Sequence, residues 1–147
     1  MVKKENKIHH GGCHCGSIRY QAKGVPVVVA HCHCKDCQRL SGAGHSTGAM
    51  FSAIDVQLSG PVEEYLLDAN NGNGVTKGFC GNCGSQIFGR NNGSPDYITI
   101  ALGAFDDPSA FDPQVVIFAR NKMHWDVMDK GLATFETQPD WNPDDGV

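Results

Sequence analysis

Seven cysteines fall in three tight clusters, Cys13-x-Cys15, Cys32-x-Cys34-x-x-Cys37 and Cys80-x-x-Cys83, and no other feature restricts this chain as strongly. Grouped as two, three and two, the thiols fill one four-thiolate metal site and leave a second site one ligand short. A closed tetrahedral zinc is normally structural, whereas a zinc with three protein ligands keeps a position for water or substrate. The division points to one metal that holds the fold and another that does chemistry.

An odd cysteine count without a visible secretory signal argues against a disulfide framework and for metal in a reducing compartment. A cytoplasmic protein is therefore expected. Met1 to His10 is polar, and the strongest apolar runs, Val25 to Ala30 and Val115 to Ala119, are too short to span a bilayer. No membrane partner is expected. The formal charge is −4, and seven thiolates on two divalent ions would take it to about −7, because ligating thiols are deprotonated. So acidic a chain lacks the basic footprint of a nucleic-acid binder.

The 147 residues are one domain's length and carry enough apolar side chains for a core. Residues 1–10 read as a polar extension, 11–137 as a single zinc domain and 138–147, with Pro139 and Pro143, as a loosely packed tail. Within the domain, strand-like segments alternate with glycine-rich turns: Ile18 to Ala22, Val25 to Val29, Val56 to Leu58, Glu64 to Leu67, Val75 to Phe79, Gln86 to Phe88, Tyr97 to Leu102 and Val115 to Phe118. Ile98, Ile100 and Leu102 share one face, the period of a half-buried strand. Asn70-Asn71-Gly72-Asn73-Gly74 predicts the tip of a hairpin joining Glu64–Leu67 to Val75–Phe79. Helical signal is confined to short pieces over Lys35 to Leu40 and Asp107 to Ala110. The pattern predicts one mostly-β domain.

Phe79-Cys80-Gly81-Asn82-Cys83-Gly84 has the form of a zinc knuckle, in which glycines supply the backbone freedom for a turn that aims both sulfurs at one ion. In the Cys-x-Cys pairs, residues i and i+2 of an extended backbone point to the same side. Cys13 and Cys15 then face one ion while His14 turns away. Cys32 and Cys34 likewise face together, with His31 and His33 opposite, and Cys37 returns after one turn. Four plus three, with Cys13 and Cys15 joining the knuckle, is the simplest partition. A partition in which Cys32 and Cys34 join the knuckle stays open. Three leftover buried thiols within six residues would be a poor use of cysteine as a small hydrophobe, and the spacings match neither common ferredoxin run.

The chain resembles the glutathione-dependent formaldehyde-activating enzymes, also called the centromere-protein-V-type domain family. The resemblance is carried by Gly11-Gly12-Cys13-His14-Cys15-Gly16, by Cys32-His33-Cys34-Lys35-Asp36-Cys37-Gln38-Arg39 with Ser41-Gly42, and by Phe79 to Ser85. Leu102 to Pro108 and Lys122 to Trp125 are weaker matches. The resemblance implies small antiparallel sheets leaning on one another and pinned by zinc, the Mss4-like or β-tent type. It also implies a structural zinc on Cys13, Cys15, Cys80 and Cys83, and a catalytic zinc on Cys32, Cys34 and Cys37. The implied activity is that of a carbon–sulfur lyase, S-(hydroxymethyl)glutathione synthase-like, with glutathione and formaldehyde as partners. Fold and metal transfer better than substrate does.

Three thiolates leave the second site net negative, which weakens Lewis acidity and favours binding a thiol as thiolate over polarising a carbonyl. Arg39, directly after the trio, is the candidate to hold a substrate carboxylate bidentately, with Lys35 close by. His45, followed by Ser46 on the Gly42-Ala43-Gly44 loop, is the candidate proton carrier. Trp125 is expected in the core, as large aromatics usually are. A rival reading makes the protein a zinc-stapled binding module, its second zinc closed by His31, His33 or His45. Oligomeric state is not encoded in any of these features.

Overall fold

A computed structural model of the chain describes residues 6–68 and 72–140. The elements run β1 (Ile8–Gly12), β2 (Arg19–Lys23), β3 (Val28–Cys32), α1 (Lys35–Ser41), β4 (Ser46–Ser52), β5 (Val56–Ser59), β6 (Val62–Asp68), β7 (Gly74–Cys80), β8 (Gln86–Asn91), β9 (Tyr97–Ala101), β10 (Val115–Ile117) and β11 (Ala133–Thr134). Short 3-10 turns join several of them. A three-stranded sheet has the order β1-β2-β5, and an eight-stranded sheet the order β11-β10-β3-β4-β9-β8-β7-β6. All pairings are antiparallel except those of β10, which runs parallel to both β3 and β11. The mostly-β class and the antiparallel sheets are as expected, although one sheet is larger than the sequence foretold.

The extra breadth comes from strands that carry little sequence signal. β4 reads Ser-Thr-Gly-Ala-Met-Phe-Ser, small and polar enough to pass for a loop, yet it lies between β3 and β9 at the centre of the sheet. β1 begins at Ile8, so Ile8 to His10, expected in the extension, are paired along β2 instead. β3 begins at Val28, not Val25. Pro26 offers no N–H to a ladder, and the shift carries His31 and Cys32 into the strand. The predicted hairpin forms between β6 and β7, while residues 69–71 of its tip lie outside the described residues, as do residues 1–5 and, in the tail, 141–147.

The core fills the space between the sheets. From the small sheet come Tyr20 and Ala22, and from the large one Val29, Ala49, Phe51, Phe88, Ile98 and Ile100. Phe105 caps them, edge-on to Tyr20 at 5.3 Å and tilted against Phe111 at 4.6 Å between centroids. Registration fixes which residues cannot join this core. Val28 is opposite Met50 and Cys32 opposite Ser46, while Met50 is also opposite Thr99 and Thr99 opposite Gly89. These alternate with the core residues and therefore occupy the other face of the large sheet. Ile100 is fully buried at the centre of the core. Ile100→Ala is expected to cost about 2–5 kcal/mol of stability, read as a lower denaturation midpoint with an unchanged slope. Trp125 is not in the core: it is 61 % exposed, on the segment after β10.

Candidate metal centres and catalytic cavity

Two turns of matching design meet at one edge of the core. The β1–β2 turn carries Cys13 and Cys15, and the β7–β8 turn carries Cys80 and Cys83. Each closes on a glycine in the left-handed region, Gly16 at φ 82° and Gly84 at φ 79°, whose N–H donates to the carbonyl of the first cysteine at 3.1 and 2.8 Å. A side chain there would be strained. His14 N–H donates to Ser85 Oγ at 3.0 Å and ties one turn to the other.

The four sulfurs all lie within 4.8 Å of one another. Cys13 Sγ to Cys15 Sγ is 3.5 Å and Cys15 Sγ to Cys80 Sγ is 3.7 Å. Thiolates ~2.3 Å from a tetrahedral zinc stand ~3.8 Å apart, so these spacings fit one ion. The surroundings favour the thiolate at Cys15 and Cys83. Ile18 N–H donates to Cys13 Sγ at 3.2 Å, and Ser17 Oγ lies 3.1 Å from Cys15 Sγ. Hydrogen bonds from the Ser17 and Asn82 side chains lower the Cys15 pKa to about 5. Those from Ser85 bring Cys83 down to about 7.

The second group forms where β3 runs into α1. Cys32 ends the strand, Cys34 caps the helix and accepts from Cys37 N–H at 3.4 Å, and Cys37 follows in the first turn. Their three sulfurs also lie within 4.8 Å of one another. Hydrogen bonds from Cys32 and Cys34 hold Cys37 well below the ordinary thiol range, helped by Ser46 and by the charge of Lys77. Among the described residues, no histidine or carboxylate ligand atom joins these sulfurs within that radius. The trio fits a metal that keeps a coordination position free, and the other four cysteines fit a closed one.

That trio opens onto a cavity of about 1130 Å³, somewhat larger than the usual small-molecule site. Its floor is the face of the large sheet turned from the core, including Val28, Met50, Thr99 and Lys77. Phe118, Phe135 and residues 138–140 also line it. Phe118 is the one described non-glycine residue with positive φ, at 55°. Gly89 leaves the room that Lys77 occupies, since a Cβ there would stand 3.0 Å from Lys77 Nζ.

The sequence candidates separate here. His45 and Ser46 line the cavity with the trio. Arg39 does not: it is exposed on α1, outside the cavity lining. Lys77 is the cation that the fold brings toward Cys37, and its parity with Val75 on a strand is the only trace it leaves in the sequence. His31 and His33 face away from the sulfurs, as alternation predicts, and each is tied into the fold. His31 Nδ1 lies 2.7 Å from Thr47 Oγ1, and His33 is fully buried with Nδ1 3.2 Å from the Gly44 carbonyl. Asp126, which no spacing marks, places Oδ2 2.6 Å from His45 Nδ1 and 3.5 Å from His33 Nδ1.

Comparison with known proteins identifies the family. The family model for glutathione-dependent formaldehyde-activating enzymes matches residues 8–121, and the chain belongs to that family. A Halomonas elongata protein, provisionally named a glutathione-dependent formaldehyde-activating enzyme, is 23 % identical over 121 residues, covering 78 % of this chain and 77 % of its own. The crystal structure of a Rhodobacter sphaeroides protein shares the fold with TM-score 0.55 at 16 % identity, over 69 % of this chain and 93 % of that one. Among the described residues no helix is long and apolar enough to cross a membrane.

Proposed function

We propose that the protein is a zinc-dependent carbon–sulfur lyase of its family's type, joining a thiol such as glutathione to formaldehyde or a related small aldehyde. The observation that carries this reading is the opening of the Cys32–Cys34–Cys37 trio onto the cavity. Cys32, Cys34 and Cys37 would hold a zinc ion, which would favour deprotonation of the substrate thiol beside it. His45 receives the thiol proton and returns it to the aldehyde oxygen as the carbon–sulfur bond forms and the carbonyl π bond breaks. The reverse reaction cleaves the same bond. Cys13, Cys15, Cys80 and Cys83 hold a second, structural zinc. So many thiolates survive only in a reducing compartment, which supports a cytoplasmic location.

Lys77 takes the charge-binding role that the sequence gave to Arg39, because it lines the cavity and acts on Cys37. Lys77→Met is expected to raise the KM for an anionic thiol about 10-fold, the loss of one charge-assisted contact. Arg39→Ala should leave kcat and KM within about twofold, as an exposed side chain outside the site does. Steady-state kinetics on both variants checks the pair. The binding-module alternative requires a histidine to close the trio. It is disfavoured because, among the described residues, no histidine nitrogen lies with the three sulfurs within 4.8 Å. Cobalt substitution tests the main reading: added glutathione should perturb the cobalt–thiolate absorption, and an unchanged spectrum would sink it.

A further inference from the structure

We infer that Asp126 is the positioning residue for His45, fixing its tautomer so that Nε2 is the nitrogen offered to the cavity. The inference rests on the proposed role of His45. The carboxylate of Asp126 accepts and cannot donate when ionised, so the 2.6 Å contact requires the proton on His45 Nδ1. The lone pair is then on Nε2, and His45 is one of the residues that line the cavity. His33 applies the same logic from the other side. Its Nδ1 has two acceptors, the Gly44 carbonyl at 3.2 Å and Asp126 Oδ2 at 3.5 Å, and therefore donates.

One carboxylate oxygen thus faces two imidazole donors on different loops. The side chain of Asp126 is only 14 % exposed, so little water competes for it. The His45 ring is also confined between neighbours, edge-on to His31 at 4.9 Å and tilted against His33 at 5.3 Å between centroids. Rotation that would bring Nδ1 to the cavity has to break the contact to Asp126 and this packing together.

His33, His45 and Asp126 also have the composition of a third metal site, but their spacing opposes it. Ligand atoms ~2.0–2.1 Å from a tetrahedral ion stand ~3.4 Å apart. At 2.6 Å, His45 and Asp126 are at hydrogen-bond distance, too close to be two ligands of one ion. The cluster is an orienting network of the kind that sets which ring nitrogen of a histidine works.

The test uses protein purified with its zinc, and reads the tautomer and the kinetics separately. Long-range proton–nitrogen NMR of the histidine rings should show His45 with its proton on Nδ1 in the wild type. In Asp126→Ala that preference should be lost, and kcat for thiol plus formaldehyde should fall about 10²-fold with KM within about twofold. Asp126→Asn keeps an acceptor without the charge, so the tautomer should persist and kcat should fall less. In a His45→Ala background, Asp126→Ala should cost nothing further, because it acts through His45. A wild-type His45 protonated on Nε2, an unchanged tautomer in Asp126→Ala, or an undiminished loss in the His45→Ala background each overturns the inference. A wild type inert toward thiol and aldehyde would instead overturn the proposed reaction, and the NMR readout would still decide the role of Asp126.

Discussion

Replacing Cys37 with serine is expected to abolish condensation while leaving the fold intact. The substitution removes one of only three thiolates at the cavity site, and a harder hydroxyl is a poor substitute for a thiolate toward zinc. Zinc per chain, by elemental analysis, should fall from about two to about one. Turnover should drop by roughly 10³-fold or more, since the chemistry the ion supplies goes with it. The melting temperature should move little, because the trio lies between β3 and α1 at the edge of the cavity and outside the cluster of core residues. Full zinc occupancy with wild-type turnover would show that Cys37 is not a ligand and would undo the proposed site.

Replacing Cys83 with serine is expected to have the opposite signature, a large loss of stability. Cys83 packs against the core, and its partners Cys13 and Cys80 are buried within it. The four-sulfur group joins the small sheet, through the β1–β2 turn, to the β7–β8 turn of the large one. Structural zinc contributes directly to folding free energy, and binding to the native chain alone stabilises it by mass action. A weakened site should cost about 5 kcal/mol, which for a domain of this size lowers the melting temperature by roughly 15 °C. A strong chelator should destabilise the wild type in the same direction. A melting temperature that both treatments leave unchanged would mean that hydrophobic packing alone holds the two sheets together.

Much of this architecture is legible in the chain because it is local. Cys80-x-x-Cys83 and Cys13-x-Cys15 sit in turns whose form follows from their own glycines, and Cys32-x-Cys34-x-x-Cys37 from a strand end running into one turn of helix. The β6–β7 hairpin and β9 announce themselves by turn composition and alternation. β4 does not, since its Ser-Thr-Gly-Ala segment has weak strand preference and becomes a strand only because β3 and β9 offer ladders on both sides. Trp125 misleads for a related reason: its size favours burial, but its segment crosses the surface beside the site.

By itself, then, the sequence determined three local groups of thiols, since spacing over a few residues aims neighbouring sulfurs to one side, whereas the fold joined Cys13 and Cys15 to Cys80 and Cys83 and left the trio apart. Only the tertiary structure decided what surrounds them. It sends Lys77 toward Cys37 from a distant strand, leaves Arg39 outside, and brings Asp126 to His45 across 81 residues of chain. Side chains so far apart in sequence meet only when the sheets have chosen their register, and a one-residue slip of β7 would turn Lys77 to the other face.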